Sequence, residues 1–297
     1  MNAGEVPQHL VVGARTGFLT ALKEKTYPWT RVASLINMGA KSLDMVDLGA
    51  APMPTEDVAQ QVQGFIEKSL TVKPRDWSLT VDISYNAIKD DQTGTLEARV
   101  KGAGRNFQRH LNNRVFTVLN SGDATTYGLC YDGQEFFDSD HSDVGAYYTT
   151  SQDNEYDLAL SLDNFNTVYV AAQAFKDDQG EEQDYNYDLL VVPPAYRYTA
   201  AQICQNVLAY DTANRENNPY AGEISYLVSP KLDSTAWILV ASNEVIKPML
   251  VVMREQPNLQ ATWFDPKQSG GGRYYFKFYA RYEVYYGDWR LAIMGDS

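Results

Sequence analysis

From Arg273 to Tyr286 the chain alternates without a break. Tyr274, Phe276, Phe278, Ala280, Tyr282, Val284 and Tyr286 fall on one side, and Arg273, Tyr275, Lys277, Tyr279, Arg281, Glu283 and Tyr285 on the other. Strand side chains point alternately to two faces, so a period of two held this long predicts one long strand with a buried face. Such a strand needs equally long neighbours and an apolar layer laid across it. A second periodic stretch supplies that layer. Leu96, Val100, Ala103, Phe107, Leu111, Val115 and Val118 recur every three or four residues, which predicts a helix over 95–120, roughly 38 Å long, ended by Asn120-Ser121-Gly122.

The remaining signals are shorter. Residues 10–25, with Phe18, Leu19 and Leu22, predict an amphipathic helix interrupted by Pro28-Trp29. Asn37-Met38-Gly39, Leu48-Gly49 and Pro52-Met53-Pro54 then punctuate the chain, so its opening reads as an extended arm with one docked helix. Leu70 and Val72 lead into a turn at Lys73-Pro74-Arg75-Asp76, with Leu79, Val81, Ile83 and Tyr85 on the return, which predicts a hairpin. A lone hairpin is marginal in water and needs a third surface. Phe165, Val168, Tyr169, Ala172 and Phe175 mark a second helix, and residues from Thr199, with Ile203, Val207 and Leu208 inward, a third. Short strands are expected at 189–192, before Pro193-Pro194, and at 224–228, 237–241 and 250–253, with Gly270-Gly271-Gly272 as a connector.

Composition narrows the function. The 297 residues suffice for one large domain or two modest ones. A net charge of −13 with no basic block in the sequence argues against a general nucleic-acid binder, since phosphate contacts need clustered Lys and Arg. Cys130 and Cys204 lie far apart without metal-type spacing, so no disulfide framework is expected. No signal-peptide pattern opens the sequence and no apolar run approaches membrane-spanning length, so neither export nor a membrane partner is expected. The 21 tyrosines suit surfaces that become interfaces, because a tyrosine buries a ring while keeping a polar tip.

One segment gathers the residues that chemistry would use: Tyr131-Asp132-Gly133-Gln134-Glu135-Phe136-Phe137-Asp138-Ser139-Asp140-His141. Read as an active site, Asp138, Asp140 and His141 would hold the metal of a hydrolase, using the acidic turn at 138–143. Read as a calcium loop, the sixth and twelfth positions need Gly and Glu, but they hold Asp143 and Thr149. Adjacent residues in extended chain face opposite ways, so Asp140 and His141 are poorly placed to cooperate. An acidic turn closed by its own side chains is the preferred reading. No serine elbow or phosphate loop is present in the sequence, so no catalytic residue, cofactor site or metal site is assigned. The tyrosine stripe of 273–286, interleaved with Arg273, Lys277 and Arg281, can in principle stack bases, but sheet core and subunit contact are preferred.

The same segment resembles the Y-D-G-Q-x-F-F-D-x-D-H signature of the major head subunits of Mu-like phages and prophages. Tyr131, Asp132, Gly133, Phe136, Phe137, Asp138, Asp140 and His141 match it. Asp90-Asp91-Gln92-Thr93-Gly94, Leu162-Asp163-Asn164-Phe165, Leu190-Val191-Val192-Pro193-Pro194, Asn218-Pro219 with Gly222, Trp237 and Ile246-Lys247-Pro248 are similar to further family segments in the family's order. Two departures are Ser142, where the family tends to have proline, and a missing aromatic near Asp47-Leu48-Gly49.

The resemblance implies an α+β, Hong Kong 97-like capsid fold. Its parts are expected as an N-terminal arm at 1–54, an E-loop hairpin at 55–88, a peripheral domain with its spine helix at 89–154, an axial domain at 155–245, and a return to the peripheral domain at 246–297. It implies a non-enzymatic major capsid protein that assembles into pentamers and hexamers of an icosahedral head enclosing double-stranded DNA, built in the bacterial host cytoplasm and located in the virion. Expected partners are copies of itself, portal, scaffold and decoration proteins, and DNA as loosely held cargo. No long charged helical stretch precedes residue 10, so a separate scaffold is expected. Leu70, Val72, Trp77 and Val81 of the hairpin, with Tyr275 and Tyr279, are the expected subunit interface, and Trp77→Ala is expected to weaken shells more than subunit folding. The alternatives are the metal-dependent hydrolase and another virion part, a tail or connector subunit.

Overall fold

The computed structural model describes residues 8–40, 43–47, 68–84, 95–141, 150–177, 180–206, 218–264 and 273–297. In chain order these form helix α1 (Gln8–Lys23), a single turn α2 (Trp29–Val32), strands β1 (Ala33–Asn37), β2 (Leu43–Asp47), β3 (Lys68–Val72) and β4 (Arg75–Ser84), and the long helix α3 (Thr95–Asn120). Then follow β5 (Glu155–Asp157), α4 (Leu162–Gln173), β6 (Leu189–Val192), α5 (Arg197–Gln205), β7 (Ser225–Val228), β8 (Trp237–Val240), β9 (Met249–Phe264), β10 (Arg273–Tyr286) and β11 (Ala292–Asp296).

Strand β10 has the bounds that its alternation predicts, and its apolar side is buried throughout, from Tyr274 to Tyr286. It lies inside a four-stranded sheet ordered β1-β9-β10-β4. Helix α3 lays the predicted stripe from Val100 to Val118 against this sheet, and α1 packs beside it. Phe18 of α1 meets Phe107 of α3 edge-on, with ring centroids 6.2 Å apart, and lies 4.5 Å from the ring of Phe278 on β10. Gly104 lets the two helices approach, because a Cβ there would crowd Ala21 and the Phe18 carbonyl at 3.0 Å. The docked helix of the opening segment is therefore part of the core.

Strand β9 runs well past the short strand expected at 250–253. Its middle contains Gln256, Pro257 and Asn258, which carry no strand pattern. Pairing with β10 supplies the order. The register slips between Tyr279 and Arg281, so Gln256 and Pro257 fall in a bulge, where proline's missing N–H costs no ladder bond.

The hairpin expected across Lys73–Asp76 does not form. β3 pairs with β2, Val72 opposite Leu43, while β4 pairs with β10 along its whole length. The chain changes sheets at Lys73-Pro74. The Tyr285 hydroxyl accepts from the Lys73 N–H at 2.7 Å and donates to the Lys73 carbonyl at 2.9 Å, so both polar groups of the crossing residue are satisfied. Residues 55–67 and 85–88 of the expected E-loop lie outside the described residues.

A second sheet has the order β5-β11-β8-β6-β7. Its β6 and β8 are buried at every residue, as continuous apolar runs demand. Strand β11 enters it beside β8, so the segment after residue 246 supplies both sheets, where the sequence reading returned all of it to the first.

Candidate functional site

The signature residues fold into an irregular loop between α3 and β5. Gly133 sits at φ +86°, closing a tight turn in which the Gln134 N–H donates to Asp132 Oδ1 at 3.2 Å. That turn aims Asp132 back at His141. Asp132 Oδ2 lies 2.6 Å from His141 Nδ1, with both side chains out of contact with solvent. The His141 imidazole stacks on the Trp289 indole, ring centroids 4.1 Å apart and nearly parallel.

Asn154 is fully buried and organises the centre. Its Nδ2 faces the carbonyls of Phe136 at 2.9 Å, Trp289 at 3.2 Å and Ala292 at 3.2 Å. Those carbonyls fix the orientation of the amide, so Oδ1 is the acceptor. Oδ1 accepts the Asp138 N–H at 2.9 Å and lies 3.2 Å from His141 Nε2. His141 thus faces an oxygen at each ring nitrogen, and these two contacts with the Trp289 stack fix the orientation of the ring.

Two further ties leave the loop. Phe136 stacks on Tyr286 at 4.8 Å, and the Tyr286 hydroxyl lies 3.0 Å from each of the Val118 and Ser121 carbonyls at the end of α3, where carbonyls otherwise lack partners. Tyr131 donates to Asp288 Oδ1 at 3.4 Å and accepts from Arg290 Nη2 at 3.1 Å, while Arg290 Nε donates to the same Asp288 oxygen at 3.0 Å. The loop therefore fastens the end of α3, the start of β5 and the turn entering β11.

The hydrolase constellation does not converge. Asp140 is exposed and its N–H donates to Asp138 Oδ1 at 3.0 Å, the side-chain-closed turn expected from the sequence. His141 points the other way, with both nitrogens already facing Asp132 and Asn154. Among the described residues, no group of His, Cys, Asp and Glu is arranged to hold a metal ion. Ser142, Asp143 and Thr149 lie outside the described residues. The His141–Asp132 pairing, Asn154 and Trp289 escaped the sequence reading, because nothing in the spacing links residues 132, 141, 154 and 289.

The residues expected at the subunit interface differ in exposure. Val72 is fully buried with Met38 and Val252. Val81 is half-buried against the main core, and the Leu70 side chain lies outside the described residues. Trp77 is half-buried, its ring centroid 4.5 Å from that of His110, and its Nε1 donates to the Tyr282 carbonyl at 2.9 Å. Tyr275 and Tyr279 are half-exposed on the outer side of β10, where the Tyr279 hydroxyl donates to Asp76 at 3.0 Å. This packing adds a second expectation for Trp77. Trp77→Ala should lower the unfolding free energy of the subunit itself by about 2–3 kcal/mol, read by urea unfolding. An unchanged midpoint together with failing shells would return Trp77 to the interface.

Beside Trp77, two arginines converge on one buried carboxylate. Glu283 is bound by Arg114 of α3 at 2.9 Å and by Arg75 of β4 at 3.1 Å. His110 lies against this group, its Nδ1 2.7 Å from the Tyr282 hydroxyl. Burial and the Arg114 charge push the His110 pKa down from its ordinary 6.5, against an opposing pull from Glu283. The unfolded chain therefore takes up this proton first as pH falls. The contribution of neutral His110 should be complete above pH 6.5 and decline from there through its lower folded value. His110→Gln should flatten that decline in unfolding curves measured across the range.

Comparison with known proteins shows a fold shared with capsid and virus-like-particle proteins. The procapsid protein of bacteriophage JBD30 superposes with a TM-score of 0.54 at 20% identity, covering 98% of this chain and 76% of that one. The virus-like particle protein of Pyrococcus furiosus gives 0.52 at 11% identity, covering 96% and 98%. The fold is thus the Hong Kong 97-like α+β fold of phage capsid proteins. A family model for the Mu-like prophage major head subunit gpT matches residues 8–157, and the chain belongs to that family. The Mu-like prophage FluMu major head subunit of Haemophilus influenzae is 30% identical over 138 residues, 46% of this chain and 44% of that protein. The major capsid protein of Escherichia phage Mu is 26% identical over 133 residues, 44% and 43% of the two chains. The match thus spans less than half the length of these curated relatives.

Proposed function

We propose that this chain is the major capsid subunit of a phage or prophage head, assembling into pentamers and hexamers of an icosahedral shell around double-stranded DNA. Family membership supports this reading, as do the names of the similar proteins. The observation that carries it is the use of the signature loop. His141, Asp132 and Asn154 face one another and the backbone, so the most reactive-looking segment works as a fastening. The proposed work is repeated self-association without bond chemistry, and many weak contacts suffice when each subunit touches many neighbours.

In this reading the four-stranded sheet with α1 and α3 forms the peripheral domain, and the five-stranded sheet with α4 and α5 forms the axial domain. Portal, scaffold and decoration proteins are the proposed partners, with assembly in the host cytoplasm. The half-exposed outer side of β10 at Tyr275 and Tyr279 is the part of the expected interface best placed to meet a neighbour. Electron microscopy of the expressed protein tests the reading: closed shells are expected. Rings or tubes would favour a tail or connector subunit, and monomers carrying stoichiometric metal a hydrolase.

A further inference from the structure

The fold gathers cations that the sequence scatters. Helices α1 and α3, some eighty residues apart in the chain, lie side by side on one face of the four-stranded sheet. Between them they contain Arg15, Lys23, Arg99, Lys101, Arg105, Arg109 and Arg114 against a single carboxylate, Glu97, in a chain of net charge −13. Arg114 is turned inward to Glu283. Lys101, Arg105 and Arg109 are spaced four residues apart, which stacks them along one stripe of α3 at about 6 Å per step. Val100, Phe107 and Leu111 take the opposite, buried side.

Arg15, Lys23, Arg99, Arg105 and Arg109 are all exposed. Arg105 meets Glu24 at 2.9 Å, whereas Arg15, Lys23, Arg99 and Arg109 face no carboxylate at ion-pair distance among the described residues. The outer side of β10 differs. There Arg273 is paired with Asp82, and Arg281 with Asp76. Two of the three β10 cations on that side are thus paired, whereas four of the exposed cations on the helix side have no carboxylate partner among the described residues.

We infer that the solvent side of the α1–α3 layer is a polyanion-binding surface, and that its ligand is the phosphate backbone of duplex DNA. Resting on the capsid reading, this makes the helix layer the inner lining of the shell. Arginine predominates in the patch, and its planar fork suits phosphate oxygens. The patch is a broad helical face. Of the five exposed cations only Lys23 borders the apolar groove between α1, α3 and β9, so a groove-seated peptide is the poorer fit. No base is read, because such contacts are to the backbone alone. The overall negative charge opposes binding, so each subunit holds DNA weakly and the hold becomes useful only when repeated around a shell.

The test is fluorescence anisotropy of a short random-sequence DNA duplex titrated with the full chain over a salt series. Weak binding that falls steeply with salt is expected. The double variant Arg99→Glu/Arg109→Glu should weaken it about tenfold or more and make the salt dependence shallower, by roughly one unit of slope for each phosphate no longer engaged. Lys277→Glu, a single charge reversal on the opposite side, should leave it nearly unchanged. The milder Arg99→Gln/Arg109→Gln should fall between, and circular dichroism checks folding throughout. Equal loss in Lys277→Glu, or no binding by the parent protein at low salt, overturns the inference. Tighter binding of poly-glutamate than of the duplex overturns it in favour of an acidic polypeptide. Imaging the same preparations separates the two readings. Shells without DNA binding defeat only this inference, and absent shells defeat the capsid reading whatever the duplex does.

Discussion

Asn154→Ala is expected to lower the unfolding free energy by about 3–5 kcal/mol, enough to threaten folding of a marginally stable domain. The substitution strands the carbonyls of Phe136, Trp289 and Ala292, the Asp138 N–H and one nitrogen of His141 inside a site closed to solvent. A buried polar group without a partner costs about 1–3 kcal/mol, and a water entering the vacated volume recovers part of the total. Asn154→Asp separates the two halves of the role. It keeps an acceptor for His141 but presents an oxygen where three carbonyls need a donor, so it should also destabilise. Urea unfolding with tryptophan fluorescence reads both variants, since Trp289 lies in the site. A loss below about 1 kcal/mol for Asn154→Ala would show that the amide does not hold the loop.

Glu283→Ala should cost about 3 kcal/mol, by leaving Arg114 largely buried without its counter-charge. Arg75 adds little, because its side chain is 68% exposed and water replaces the lost partner. The loss should be partly reversed by adding Arg114→Met, since a buried ion pair replaced by apolar groups of similar volume is often neutral or better. A double-mutant cycle measures that coupling. If the two losses simply add, Glu283 is not acting through Arg114, and the tie between α3 and β10 must lie in the rings of Trp77, His110 and Tyr282.

What the sequence disclosed follows from how local each signal is. β10 and α3 were legible to the residue because their periodicity is long and each buries one continuous face. The second half of β9 was not, since Gln256, Pro257 and Asn258 become a strand only beside β10. Lys73-Pro74-Arg75-Asp76 reads as a turn, but the chain only passes there from one sheet to the other, with Arg75 and Asp76 already in β4, and neither β2 nor β10 can be read from it as a partner. The signature loop was recognisable as a family mark and its acidic turn as self-closed. Its core was hidden, because Asp132 meets His141 and Asn154 meets Ala292 only after the chain has come back on itself. The stripe of Lys101, Arg105 and Arg109 is a local signal of the same kind, but that Arg15 and Lys23 of α1 lie beside it follows only from the packing of the two helices.

β11 is an inner member of its sheet, flanked by β5 and β8. That sheet stays open along its middle until the ribosome has delivered residues 292–296, so the second half of the molecule cannot finish folding while the chain is still growing through its earlier segments. A chain built this way closes its second sheet only after every segment before β11 has been made.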